Sequence, residues 1–429
     1  MRKAITALFR FVVRVFFRRI EIVGIERIPA DGPVLFAVNH PNGLVDPLFL
    51  LCFAPRPVSF LAKAPLFGYP IIGYLIRVLD AIPVYRKQDN TSGSNEMTFE
   101  RARTILQRGG AIAIFPEGTT HDDPQLRELK TGAARIALGA QLPSTFIGPV
   151  GIYYTAKHLF RSSVLVVFGE PIEVKPVELD DRGEPPPKEV EQLTAEIEKG
   201  LDALTLQADS HAALDLIGRA EDIFTADEDQ PLAEELELRR RFIGGYHYLR
   251  DRDPQRLEKL QSSIVQFESE LRRAKIDVHE LRPDLDASRL FRVLVLLPLA
   301  LVGAVVHYPT YRLVGLLARR FSKGERVLVA TVKFLGALAL YPITYIVLAA
   351  LAGWVVGWEW GVFTLIALPL LGYTALRVFE DIDDMIGDVR ALLHRVLRKR
   401  GYARLQAQRR AIRDEIGDVA REMDGDRLG

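Results

Sequence analysis

The spacing of apolar positions changes several times along this chain. Residues 1–19 read MRKAITALFRFVVRVFFRR, with Arg10, Arg14 and Arg18 four apart and Phe9, Val12, Val13, Phe16 and Phe17 on the other side. That spacing predicts a basic amphipathic helix lying in a membrane interface. It does not read as a signal peptide, because arginines interrupt the apolar run and no small-residue cleavage site follows. From 20 to 178, short apolar runs at 34–38, 58–61, 81–85, 111–115, 146–153 and 164–168 alternate with stretches of helical period, such as 94–107 and 132–140. The alternation predicts an α/β domain, a mixed sheet flanked by helices.

Beyond it, 179–188 is a turn-rich linker with three prolines in succession, and 189–289 is a charged helical region without a catalytic cluster. Residues 290–378 form a hydrophobic membrane region. Within it, 293–306 is apolar but short for a span, and with 313–317 it reads as a re-entrant or interfacial hairpin. The stretches 334–352 and 361–376 read as a C-terminal transmembrane helical hairpin. All three tryptophans lie between them in GWVVGWEWG, where an interfacial aromatic belt would place them. Arg319, Arg320, Lys323 and Arg326 precede the first span and Arg377 follows the second, which puts both ends in the cytoplasm. Residues 379–429 read as a charged helical tail.

Composition alone would have seemed contradictory. Of 429 residues 48% are hydrophobic, yet 26% are charged. Segregation resolves this: 290–376 holds the excess apolar content. With 56 basic and 55 acidic residues the net charge is +1, which excludes an acidic-tail protein and gives no general case for nucleic-acid binding. The single cysteine, Cys52, excludes an intramolecular disulfide and a cysteine-based zinc or iron–sulfur site. It lies in an apolar run and reads as a buried, inert thiol.

Candidate chemistry sits where three strands end. AVNHPNGLVDPL places His40 and Asp46 after the first buried run, a base with a carboxylate to orient it. AIAIFPEGTTHD places Glu117, Gly118, Thr119 and Thr120 after another, in a turn whose N–H groups and hydroxyls suit an anion or a polyol. AIPVYR delivers Arg86, suited to bidentate phosphate binding, and Lys130 is a second cation. Each element alone also fits a structural histidine, a β-turn or a surface charge.

Together and in this order, the motifs from about Arg19 to Val177 resemble the phospholipid/glycerol acyltransferase (PlsC-like) superfamily, over about a third of the chain. NHPNGLVD resembles the family's first block, which supplies the catalytic His and Asp. AIPVYR resembles the second, with Arg86 at its cationic position, and FPEGTT the third, with Glu117 and Gly118 in the acceptor-binding turn. GPVGI resembles the fourth, where Pro149 shapes the acyl or acceptor pocket. LAKAPLFGYPIIGYLIR at 61–77 resembles the family's basic-then-apolar stretch. One departure stands out: five residues separate His40 from Asp46 where the usual block has four, and Gly43 can absorb the extra residue as a bulge. The longer spacing, the following Asp-Pro-Leu and the His121-Asp122 pair after FPEG resemble the branch related to fungal glycerol-3-phosphate/dihydroxyacetone-phosphate acyltransferases.

The resemblance implies a membrane-bound O-acyltransferase of phospholipid synthesis. Acyl-CoA or acyl-ACP would be the donor and glycerol 3-phosphate or dihydroxyacetone phosphate the acceptor. No further cofactor, metal or covalent acyl-enzyme is required. His40 would take the acceptor's proton, Asp46 would orient it, Arg86 and Lys130 would hold phosphate, and Glu117 and Thr119 would position the acceptor hydroxyls. Apolar residues around 66–75 would help hold the acyl chain. Two alternatives remain: a 1-acylglycerol-3-phosphate (lysophospholipid) acyltransferase, and a non-catalytic lipid-binding membrane scaffold. Membrane lipids are the expected partners, and a bacterial inner membrane with the catalytic domain facing the cytoplasm is the expected location.

Overall fold

The computed structural model describes residues 1–85, 95–156, 159–225, 231–278, 281, 287–322 and 326–428. They form two compact units, Met1–Gln207 with Ala318–Phe334, and Ala208–Leu317 with Leu335–Gly429.

The first unit is built on an eight-stranded sheet. Its strands are β1 (Arg19–Val23), β2 (Val34–Val38), β3 (Val58–Lys63), β4 (Ile82–Val84), β5 (Ala111–Ile114), β6 (Thr145–Tyr154), β7 (Ser163–Phe168) and β8 (Ile172–Val174). The order is β1-β7-β6-β2-β5-β3-β4, with β8 also paired to β6. Only β6 runs antiparallel to its neighbours β7 and β8; the other pairs are parallel. Every residue of β2 and β5 is buried, as central parallel strands covered on both faces require. This is the mixed α/β architecture that the apolar runs predict.

Helices α1 (Arg2–Phe16), α2 (Val45–Phe53), α3 (Pro70–Val78), α4 (Asn95–Gln107), α5 (Gly132–Gly139) and α6 (Pro187–Asp202) accompany the sheet. Two expectations change here. Helix α1 turns Phe9, Val13 and Phe16 inward and lies against α2, where Arg10 donates to the Cys52 carbonyl at 2.9 Å; Leu8 and Phe11 stay exposed. One arginine of the basic face thus makes a helix–helix contact. Helix α6 buries Val190, Leu193, Ile197 and Leu201 in the same core as Leu35, Ile112 and Ile147. The boundary expected at 188 therefore moves to 207, because the apolar stripe of α6 completes this core rather than opening a new one.

The second unit contains α7 (His211–Thr225), α8 (Leu232–Arg252), α9 (Pro254–Ala274), most of α10 (Ala287–Phe321) and of α11 (Arg326–Val355), α12 (Trp358–Leu397) and α13 (Lys399–Leu428). The expected charged tail is not separate. Helix α13 packs on α7 and α9 through Tyr402, Leu405 and Ile412, and Arg256 of α9 bonds Glu415 and Glu422 at 2.5 and 2.8 Å. The membrane region also differs. The stretches 293–306 and 313–317 belong to one 35-residue helix, α10, which carries Pro298 and Pro309 without ending. Among the described residues three helices, not two, are long and apolar enough to cross a membrane: Ala287–Phe321, Leu328–Val355 and Trp358–Leu397. Trp354, Trp358 and Trp360 are exposed at the turn between α11 and α12.

Candidate active site

Parallel pairing sets the site. Ala37 of β2 faces Ile114 of β5 in register. His40 and Glu117 each lie three residues further on, so both leave the sheet at the same level of its carboxyl edge, where open α/β sheets place ligands. The Glu117 side chain takes advantage of this: its Oε1 accepts the His40 backbone N–H at 2.8 Å.

His40 is followed by a loop and then by α2, whose second residue is Asp46. Despite the extra residue between them, the His40 Nδ1–H donates to Asp46 Oδ2 at 2.8 Å. Gly43 takes φ +31° in the intervening turn, a backbone state that side chains disfavour, and so the loop absorbs the longer spacing as expected. Asp46 is fully buried, and an unpaired carboxylate there would cost several kcal/mol. Three donors offset that cost: His40 Nδ1, the Asn42 N–H at 2.7 Å on the same oxygen, and the Tyr154 hydroxyl at 2.6 Å on Oδ1. With Nδ1–H committed to a carboxylate, the neutral ring carries its lone pair on Nε2. The ring stacks on Phe115 at 4.1 Å between centroids, and 16% of its side chain is exposed. The arrangement can remove a proton from a hydroxyl delivered at the sheet edge.

Tyr154 and Asn39 escaped sequence reasoning. Tyr154 is the last residue of β6, buried beside Asp46; burial and the adjacent carboxylate push its phenol well above the usual range, so it stays a donor. Asn39 donates to the Ile152 carbonyl at 3.1 Å and accepts the Ile152 N–H at 2.7 Å, clamping the end of β2 to β6. Neither has a local signature, since both act through a strand more than a hundred residues away.

Glu117 is 3% exposed and both its oxygens are engaged. Oε1 holds the His40 loop, while Oε2 meets His121 Nε2 and accepts the Arg127 N–H at 3.2 Å. It therefore ties two loops together instead of presenting a free carboxylate to a ligand. Gly118 has φ +69°, and a Cβ there would collide with the Lys130 side chain, which lies across it. Lys130 is anchored by its N–H to the Pro116 carbonyl at 2.8 Å, and its exposed side chain runs along the same turn. Thr119 Oγ1 reaches only the neighbouring Thr120 carbonyl, at 3.5 Å. Pro149 lies opposite Ala37 of β2 in the sheet register. It is buried in β6 with its ring toward Gly200 of α6, where an added Cβ would come within 2.8 Å of it. Arg86 lies outside the described residues. Cys52 is buried and its thiol is pushed up to about 12 by burial, which keeps it from serving as a nucleophile.

Residues 19–153 match the Acyltransferase family, and residues 223–426 match the Glycerol-3-phosphate acyltransferase 2 C-terminal domain. The second match joins the charged helices, the apolar helices and the tail in one domain. Glycerol-3-phosphate O-acyltransferase 1 of Saccharomyces cerevisiae is 25% identical and aligns with 94% of this chain and 69% of its own length. The 1-acyl-sn-glycerol-3-phosphate acyltransferase LPAT1, chloroplastic, of Arabidopsis thaliana is 29% identical over 36% of this chain and 44% of its own. The crystal structure of the 1-acyl-sn-glycerophosphate (LPA) acyltransferase PlsC from Thermotoga maritima aligns with 47% of this chain and 81% of its own, at 23% identity and TM-score 0.35. The fungal and plant relatives lend no support to a bacterial inner membrane.

Proposed function

Because this chain is a PlsC-like acyltransferase with a glycerol-3-phosphate acyltransferase-type C-terminal domain, we propose that it acylates glycerol 3-phosphate or dihydroxyacetone phosphate with an acyl-CoA or acyl-ACP thioester. The hydrogen bond from His40 Nδ1 to Asp46 carries the reading. His40 Nε2 takes the proton of the acceptor hydroxyl as its oxygen attacks the thioester carbonyl. The tetrahedral intermediate collapses, the C–S bond breaks, and the imidazolium returns its proton to the leaving thiolate. Asp46 holds the ring in the required tautomer. Lys130, across Gly118, supplies positive charge for the acceptor phosphate, and Arg86 is its proposed partner. Glu117 fixes the loops that form the acceptor site, with Thr119 on its turn.

The small acceptor is favoured by coverage. The yeast glycerol-3-phosphate O-acyltransferase aligns with nearly the whole chain, the 1-acyl-sn-glycerol-3-phosphate acyltransferase only with about its first third. A 1-acylglycerol-3-phosphate acceptor is the second reading, since it uses the same His40 and Asp46. The three apolar helices indicate membrane association. Arg319 and Arg320 before α11 and Arg377 within α12 support a cytoplasmic face for the catalytic unit.

The deciding assay supplies membranes containing the full chain with acyl-CoA and, in turn, glycerol 3-phosphate, dihydroxyacetone phosphate and lysophosphatidate. Turnover with either of the first two supports the proposal. Turnover confined to lysophosphatidate replaces it with the second reading.

A further inference from the structure

Residues Ala318–Phe334 belong to the same compact unit as the sheet, although they fall inside the stretch that matches the C-terminal domain. Ala318, Ser322, Ala330 and Phe334 are buried there. The Phe334 ring meets Phe16 edge-on with centroids 5.8 Å apart. Phe16 contacts Phe17, and Phe17 lies 5.8 Å from Tyr154, the residue that holds Asp46. Ala330 and Phe334 of α11 are thus packed within the unit that holds the site.

A second contact is more direct. Thr331 Oγ1 accepts the backbone N–H of Leu44, at 3.4 Å. Leu44 is the residue before α2 and has no side-chain cap of its own. The N–H groups at a helix start lack partners within the helix; the Val45 and Asp46 N–H groups find the Asn42 carbonyl, while Leu44 finds Thr331. The same hydroxyl would sit 3.0 Å from a Cβ placed on Gly43, the residue with φ +31°. Thr331 therefore abuts the turn that folds the long His40–Asp46 spacing into a hydrogen bond.

We propose that Thr331 is a positioning residue for acyl transfer: its hydroxyl fixes the start of α2, and so the direction from which Asp46 holds His40. The proposal rests on the assignment of His40 and Asp46 to the chemistry. It gives the apolar C-terminal domain a task beyond anchorage, because the helix that supplies Thr331 is one of the three able to span a membrane. Misplacement of a catalytic group by about an ångström can cost on the order of a hundredfold in rate, so a single loop contact is enough to matter.

The test compares Thr331→Val, Thr331→Ser and His40→Ala in the full membrane-bound chain, with release of thiol from acyl-CoA as readout. Thr331→Val keeps the shape and removes the acceptor. It is expected to lower kcat roughly tenfold to a hundredfold with acceptor KM changed by no more than about twofold. Thr331→Ser keeps the hydroxyl and is expected to retain most of the activity, and neither should shift the thermal midpoint appreciably. Wild-type kcat in Thr331→Val, beside an inactive His40→Ala, overturns the positioning role alone. Equal loss in Thr331→Ser and Thr331→Val overturns it too, since the hydroxyl would then be irrelevant. A fully active His40→Ala instead overturns the underlying mechanism. If Thr331→Val fails to accumulate, Thr331→Ala against Thr331→Ser asks the same question with two smaller side chains.

Discussion

Tyr154 and His40 grip opposite oxygens of one carboxylate: the tyrosine hydroxyl is 2.6 Å from Asp46 Oδ1, and His40 Nδ1 is 2.8 Å from Oδ2. His40 and the last residue of β6 are thereby parts of one buried network. Replacing Tyr154 by Phe leaves Oδ1 without its donor and frees the carboxylate to turn. Loss of a hydrogen bond to a charged group is worth about 1.5–3 kcal/mol. We expect Tyr154→Phe to lower kcat roughly tenfold or more and to lower the thermal midpoint, both measurable in membranes. Unchanged kcat would show that Asp46 is held well enough without it.

His40→Ala removes the proposed base, and acyl transfer should fall roughly 10²- to 10⁴-fold, the usual worth of a general base. Membrane accumulation should be unaffected, because Asp46 keeps the Asn42 N–H and the Tyr154 hydroxyl as donors when the ring is removed. Quantitative turnover assays at matched protein levels check this.

Asp46→Asn should be impaired in a different way. The amide can accept from only one oxygen, while His40 Nδ1, the Asn42 N–H and Tyr154 all seek acceptors. We expect loss of kcat together with loss of thermal stability. An Asp46→Asn protein as stable as wild type would mean that the network relaxes freely.

Glu117→Gln separates loop-holding from ligand-binding. Each Glu117 oxygen now accepts from a loop; glutamine retains one acceptor and adds a donor. The expected result is lower kcat and a lower thermal midpoint. A rise in acceptor KM with kcat and stability intact would instead assign Glu117 to direct acceptor binding.

The helical unit has its own pH dependence. Glu221 of α7 is buried against Arg239 of α8; burial pushes its carboxyl up to about 7, and Arg239 only partly opposes this. The native state therefore holds this proton more tightly than the unfolded chain does. Between about 4.5 and 7 the unfolded state ionises first, so stability falls as pH rises through this window and levels off above it. Glu221→Gln should remove that decline, which thermal unfolding at pH 5.5 and 8 would reveal. An equal decline in both proteins would place its source elsewhere.

Much of the site could be read from the sequence because its parts are local. His40, Asp46 and Glu117 each follow a buried run, and the order of their motifs along the chain carries the family resemblance. The partner relationships could not be read. Whether five intervening residues still allow His40 to reach Asp46 depends on how Gly43 and the start of α2 bend. Glu117 reads as a ligand group, yet its oxygens are taken by two loops, because β2 and β5 pair in a register that no local pattern encodes. Pro149 sits in a motif but points toward α6.

The domain limits divide in the same way. Charged linkers and apolar runs are visible along the chain, but α6 joins the sheet and α13 joins α7–α9 because of where their apolar faces find cover. Likewise 293–306 reads as too short to span when taken alone, and belongs to a longer helix that passes its prolines.

What this sequence determines by itself is the set of elements, the chemical character of the candidate site residues and the concentration of apolar residues near the C-terminus, since each depends on composition and period over a few residues. Tertiary structure alone decides that Tyr154 holds Asp46, that Glu117 is a tie between loops and that Thr331 meets the turn before α2. These contacts join residues about eighty to nearly three hundred positions apart, and only the packing of strands and helices brings such groups within hydrogen-bonding distance.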